Sequence, residues 1–124
     1  MDITPAVPDG RSLIDSYGPG RFQVRGMRYQ GSLIVLPDRI LPWSVAHSGD
    51  LSVESLAVFR AQEPAIDVLL LGTGTRMVQI PSALRRAIRE SGLSMDIMDT
   101  GAACRTFNVL MVEGRRAAAA LIAV

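Results

Sequence analysis

The sequence predicts one three-layer α/β domain with a mixed central sheet and an N-terminal β-hairpin, and three stretches carry that prediction. Ile66-Asp67-Val68-Leu69-Leu70-Leu71 is almost continuously apolar and stops at Gly72, the pattern of a central strand covered on both faces. From Pro81 to Gly92, a face of Leu84, Ala87 and Ile88 opposes Arg85, Arg86 and Arg89, as in an amphipathic helix. The third stretch runs from Met98 to Arg116. Asp99 or Thr100 is placed to cap a helix there, Ala103, Phe107, Leu110 and Met111 share its inner face, and Gly114 stops it before an apolar strand from Arg116 to Val124. Helices alternating with apolar strands pack on the two sides of a sheet.

Taken from the start, Pro5, Pro8, Gly10, Gly18 and Pro19 interrupt the chain around one apolar cluster of Leu13, Ile14 and Tyr17. This predicts a loosely held N-terminal arm over residues 1–19 and a single α/β domain over residues 20–124. Phe22-Gln23-Val24 alternates, Gly26 and Gly31 punctuate, and Ser32-Leu33-Ile34-Val35-Leu36 ends at Pro37-Asp38, so two or three antiparallel strands with tight turns are expected. Ile40-Leu41-Pro42-Trp43 should continue extended, since a residue before proline avoids the helical region. Ser52 as N-cap, a Leu51/Leu56 staple and Pro64 beyond the end predict a helix of about three turns from Val53 to Gln62. Ser94 to Met98 reads as a short strand and Ala102 to Glu113 as a helix. Phe107 to Val112 could instead be a strand hairpinned through Glu113-Gly114-Arg115, but the caps and the shared apolar face favour the helix.

Composition narrows the chemistry. The 124 residues, 48% hydrophobic and 20% charged, suffice for one buried core and argue against disorder. The longest apolar run, Ala117 to Val124, has eight residues, whereas a bilayer span needs about 20. Met1-Asp2-Ile3-Thr4-Pro5 is acidic and carries a proline, unlike a secretory signal or a transit peptide, so a cytoplasmic location is expected, with peripheral attachment at the inner membrane as its variant. Cys104 is the one cysteine and His47 the one histidine, which excludes an intramolecular disulfide and any Cys/His metal site. The acidic residues show no Asp-x-Asp loop pattern, and neither a metal nor a cofactor is expected. All thirteen basic residues are arginine, so Schiff-base lysine chemistry and the P-loop lysine are excluded.

Two loops remain as candidates for function. Gly72-Thr73-Gly74-Thr75 follows a buried strand, where open α/β sheets place ligand loops, but Met77 stands where a dinucleotide fingerprint needs its third glycine. Asp99-Thr100-Gly101 opens a helix whose first amides could take an anion, unless Asp99 already caps them. Cys104 lies one turn in, where the helix dipole and Arg105 would activate a thiol; without a histidine base, a buried inert cysteine is the better reading. The Arg85, Arg86 and Arg89 face, extended by Arg105, Arg115 and Arg116, is not interleaved with aromatics, so a solvated face or protein-binding rim is favoured over nucleic acid. With a net charge of +1, no strong field for nucleic acid exists either. Trp43 fits a core position or an interface anchor equally well. The candidate binding surface is therefore Trp43, Gly72, Thr73, Gly74, Thr75, Asp99, Thr100, Arg105 and Thr106, with no catalytic residue and no metal ligand.

Leu70-Leu71-Gly72-Thr73-Gly74, the run from Asp99 to Leu110, Glu113-Gly114-Arg115-Arg116 and Ala119-Ala120-Leu121 together resemble the small Mth-domain proteins. The similarity extends through Tyr17-Gly18-Pro19-Gly20, Tyr29-Gln30-Gly31-Ser32-Leu33 and Pro42-Trp43, nearly the whole chain. The resemblance implies a three-layer α/β/α-type fold with an added β-hairpin, and it supports the helix at Ala102 to Glu113. The family includes a mitochondrial respiratory complex I assembly factor and adipogenesis-associated members. It thus implies a non-catalytic binding or assembly-type protein whose partners are proteins, among them respiratory-complex assembly proteins, and no catalytic residue to transfer. Phe107 stands where many relatives carry tyrosine, so a hydroxyl role there is absent. The competing expectation is a small-ligand or anion site, or an enzyme, built on the same two loops.

Overall fold

The computed structural model describes residues 13–124; the first twelve residues of the expected arm lie outside it. The chain forms β1 (Ile14–Gly18), β2 (Arg21–Val24), β3 (Met27–Gln30), β4 (Leu33–Val35), β5 (Ile40–Pro42), α1 (Ala57–Arg60), β6 (Val68–Gly72), α2 (Ser82–Glu90), β7 (Met95–Met98), α3 (Thr100–Val112) and β8 (Ala117–Leu121). β1, β2 and β3 make an antiparallel three-stranded sheet, and β5-β4-β8-β6-β7 make the central five-stranded sheet. That sheet is mixed: β4 runs antiparallel to both β5 and β8, whereas β6 runs parallel to both β7 and β8.

Side-chain alternation along the central strands builds two cores from one sheet. Ile34, Leu69, Leu71, Ala118, Ala120 and Ile122 face one layer, made by α1, α2 and the segment around Trp43. Leu33, Val35, Leu70, Ala117, Ala119 and Leu121 face the other, made by α3 and the three-stranded sheet. The four alanines of β8 are fully buried at the centre, and their small side chains let both covering layers approach the sheet. Both crossovers explain why α2 and α3 part company. β6-α2-β7 steps outward to the sheet edge, β7-α3-β8 steps back across β6, and right-handed connections in opposite directions put their helices on opposite faces.

Two expectations need correction at the level of elements. Residues 14–18, assigned to the loose arm, form β1, paired with β2 from Ile14↔Val24 to Gly18↔Arg21. The side-chain amide of Asn108 on α3 holds this strand, accepting from Ile14 N at 2.8 Å and donating to Ile14 O at 2.8 Å. The two or three antiparallel strands expected here are accordingly a three-stranded meander that includes β1. The helix expected from Val53 to Gln62 is shorter: a 3₁₀ turn at Glu54–Leu56 leads into α1, and Leu56, at φ −107° and ψ 10°, breaks the regular helix between them. Val53 rather than Ser52 takes the N-cap position of this turn; the Ser52 Oγ accepts from Ser55 N at 3.1 Å, and Leu51 and Leu56 are both buried. The alternative hairpin at Phe107 to Val112 is excluded, because that stretch is helical within α3.

Candidate functional site

In an open α/β sheet, ligands bind beyond the carboxyl ends of the strands, where successive crossovers diverge to opposite faces. Here that point is the end of β6, from which Gly72-Thr73-Gly74-Thr75 departs beside the start of α3. The two candidate loops are brought together, but by contacts that close the space between them. Thr100 is fully buried; its Oγ1 accepts from Gly74 N at 2.8 Å and donates to Ile122 O at 2.7 Å, while its own N–H donates to Gly74 O at 2.9 Å. One threonine thus ties the β6 loop, the start of α3 and the end of β8. Gly74, at φ +104°, takes a conformation that other residues rarely adopt.

Thr73 is equally committed. Its N–H donates to Met98 O at 2.9 Å, and its Oγ1 donates to Arg76 O at 2.8 Å and accepts from Val78 N at 3.0 Å. Asp99 is the N-cap of α3, its Oδ1 accepting from Ala102 N at 2.8 Å. The first-turn amides of Thr100, Ala102 and Ala103 all have protein acceptors, the last being Asp99 O at 3.0 Å. The Tyr17 hydroxyl lies where a side chain at Gly101 would begin. Three of the first-turn amides that could have held an anion are therefore taken by the protein itself.

The other candidates separate cleanly. Trp43 is buried in the core under α1, and its indole N–H donates to Ser55 O at 3.0 Å. Cys104 is buried against the three-stranded sheet, and burial pushes its thiol up to about 12, with Asp99 adding to the shift and Arg105 opposing it. Such a thiol is not a nucleophile at neutral pH. His47 is exposed in a loop before a 3₁₀ turn. What remains at the surface is Thr75 and Arg105, both exposed, with Asp99 and Thr106 half-buried. No group of three or more metal-ligating side chains occurs among the described residues.

The six arginines do not form one face. Arg105 is on α3, across the sheet from α2, while Arg115 lies 3.9 Å from Asp67 and Arg116 donates to Pro64 O at 2.9 Å, both at the amino ends of β6 and β8. Arg85, Arg86 and Arg89 stay together on α2, and they line a groove of about 810 Å³ with Met77, Met95 and Ile97. Sequence reading missed this groove, because its floor is the edge strand β7, whose edge position depends on strand order rather than on local pattern.

A family model described as a protein of unknown function (DUF498/DUF598) matches residues 14–122. The chain belongs to the DUF498/DUF598 family. This DUF498/DUF598 chain is 43% identical over 111 residues to the NADH dehydrogenase (ubiquinone) 1 alpha subcomplex assembly factor 3 of Danio rerio, covering 90% of this chain and 64% of that protein. The Homo sapiens protein of the same name is 38% identical over 109 residues, covering 88% of this chain and 59% of its own. The chain thus spans less than two-thirds of these relatives. An uncharacterised protein of Rhodobacter capsulatus is 35% identical over 113 residues, which cover 91% of this chain and 86% of that one. Among solved structures, a Bartonella henselae protein described as an outer membrane protein superposes with a TM-score of 0.82 at 39% identity, covering 96% of this chain and 99% of that one. The Mth938-like domain of Bordetella pertussis superposes at 0.79 with 26% identity, covering 98% and 92%. The Mth-domain resemblance and the α/β fold class both hold.

Proposed function

We propose that this member of the family is a non-catalytic binding protein that serves the assembly of a respiratory complex. The observation that carries the reading is the closed crevice: where an α/β sheet would place a ligand, Thr100 and Gly74 join the loop, the helix and the end of β8 by protein contacts. The names of the Danio rerio and Homo sapiens relatives supply the process. Protein partners follow from it, and the contact surface includes Thr75, Asp99, Arg105 and Thr106, with Gly72, Thr73, Gly74 and Thr100 as the buried frame that holds these residues in place. Among the described residues no helix is long and apolar enough to cross a membrane, and we place the protein in the cytoplasm, working at the membrane face only through partners. The test is affinity capture by the full chain from native extract at low salt. Recovery of subunits or assembly intermediates of the NADH dehydrogenase is expected; their absence from the captured material contradicts the reading.

A further inference from the structure

We propose that the free edge of β7, together with the groove beside α2, docks an extended acidic segment of a partner protein. The inference rests on the binding-protein reading and names the site and the chemistry of the segment it takes. β7 is the edge of the central sheet. Leu69 N donates to Ser94 O and Thr73 N donates to Met98 O, so Ser94, Asp96 and Met98 turn their backbone toward β6. In a parallel ladder the alternate residues turn the other way. The N–H and C=O groups of Met95 and Ile97 therefore face outward, and no hydrogen bond engages them among the described residues. An edge of this kind is a template for one more strand.

What that strand should carry follows from the two faces of β7. Met95 and Ile97 turn their side chains toward α2, where they pack at the margin of its core. Arg85 and Arg89, one turn apart on α2, line the same groove with Arg86, and no carboxylate lies within ion-pair distance of the three among the described residues. A glutamate on the added strand would lay its methylenes beside Met95 or Ile97 and reach a guanidinium with its carboxylate. Asp96, exposed and alternating with Met95 and Ile97, also borders the groove, so the segment should be acidic only at alternate positions, with neutral residues between. Alternation of this kind is the side-chain period of a strand. A second copy of this chain fits poorly. Antiparallel pairing of two β7 edges would set both α2 helices on one face and bring Arg85, Arg86 and Arg89 toward their own counterparts.

The test uses the full chain and fluorescent peptides of about six residues, long enough to cover the four-residue edge of β7 with one residue beyond each end. Alternating Glu/Thr should bind, and alternating Lys/Thr should not. The Arg85→Glu/Arg89→Glu double variant, altered only at exposed positions, should bind the Glu/Thr peptide about tenfold or more weakly. Backbone N-methylation supplies a control that leaves the protein untouched: methylating one alternate set of peptide residues should abolish binding, while methylating the other set should not. Equal binding of the lysine peptide, indifference to which set is methylated, or no binding of the Glu/Thr peptide overturns the proposal. So does concentration-dependent dimerisation that the Glu/Thr peptide fails to reverse. If the double variant still captures the respiratory subunits that the unaltered chain captures, the β7 edge is not the docking site while the binding-protein reading stands; if neither captures them, that reading itself has failed.

Discussion

Gly72 lies so close to Thr100 that a Cβ added at Gly72 would sit 2.8 Å from Thr100 Cα and 2.9 Å from its Oγ1. Strand β6 and helix α3 meet there backbone to backbone, and the meeting leaves no room for a ligand. Gly72→Ala must push α3 away from the sheet, because backbone cannot step aside as a flexible side chain would. An overpacking cost of about 1–3 kcal/mol is expected. Chemical denaturation should show a lower midpoint with unchanged slope. Wild-type stability in Gly72→Ala would contradict the close approach.

Thr100→Ala removes a buried hydroxyl that serves Gly74 N and Ile122 O at once. Leaving those groups without a partner costs about 1–3 kcal/mol. Amide exchange at Gly74 should accelerate in the variant while exchange at Leu70 stays slow. Unaltered exchange at Gly74 would mean that the hydroxyl does not hold the loop.

Asn108 copies a strand neighbour, presenting one acceptor and one donor to the backbone of Ile14. Asn108→Ala should loosen β1 more than the rest of the molecule. Hydrogen exchange should rise at the amide of Ile14, with little change in β6 or β8. Uniform acceleration throughout the chain would show instead that the residue supports the whole fold.

Within α3, Phe107 is fully buried and Val109 is 57% exposed. Phe107→Ala should cost about 3–5 kcal/mol, whereas Val109→Ala should stay within about 0.5 kcal/mol. Thermal unfolding of both variants checks the orientation of the helix. Equal losses would contradict it.

Cys104 gives a pH test with a defined sign. Its thiol stands at about 12 in the folded chain against 9.0 for an unburied one. Between those values the unfolded chain has lost a proton that the folded chain keeps, so stability falls as pH rises from about 9 toward 12 and is unaffected below. Cys104→Ala should lose less stability than the wild type over that alkaline interval. An identical alkaline decline in both would show that the thiol is not buried in the manner described.

Much of this fold is written locally. The apolar run before Gly72, the arginine face of α2 and the Asp99 cap each follow from side-chain period and capping chemistry, and all three elements formed as expected. β1 was not legible, because its residues are mostly exposed and polar, and what makes a strand of Ile14–Gly18 is its pairing with β2, the burial of Ile14 and the side chain of Asn108, 94 residues away. The helix after Ser52 was overextended, since the cap and staple mark a start and say nothing of the irregular turn at Leu56. The candidate site was half legible. Its loops were found, but whether Thr100 opened on a pocket or filled one depended on Gly74 and Ile122 arriving from other strands. The β7 groove was invisible for the same reason: strand order is a property of the crossovers rather than of Met95–Met98.

The central claim is that the chain builds a complex rather than transforming a molecule. The most direct measurement is the amount of assembled NADH dehydrogenase, resolved on native gels, in cells lacking this chain and in the same cells given back either the wild type or Cys104→Ala. The account predicts less complete enzyme with accumulated intermediates in the deletion strain, and recovery with both restored forms, because the buried thiol has no chemical task. Undiminished complex in the deletion strain would contradict the assembly role, and failure of a folded Cys104→Ala chain to restore it would contradict the non-catalytic one.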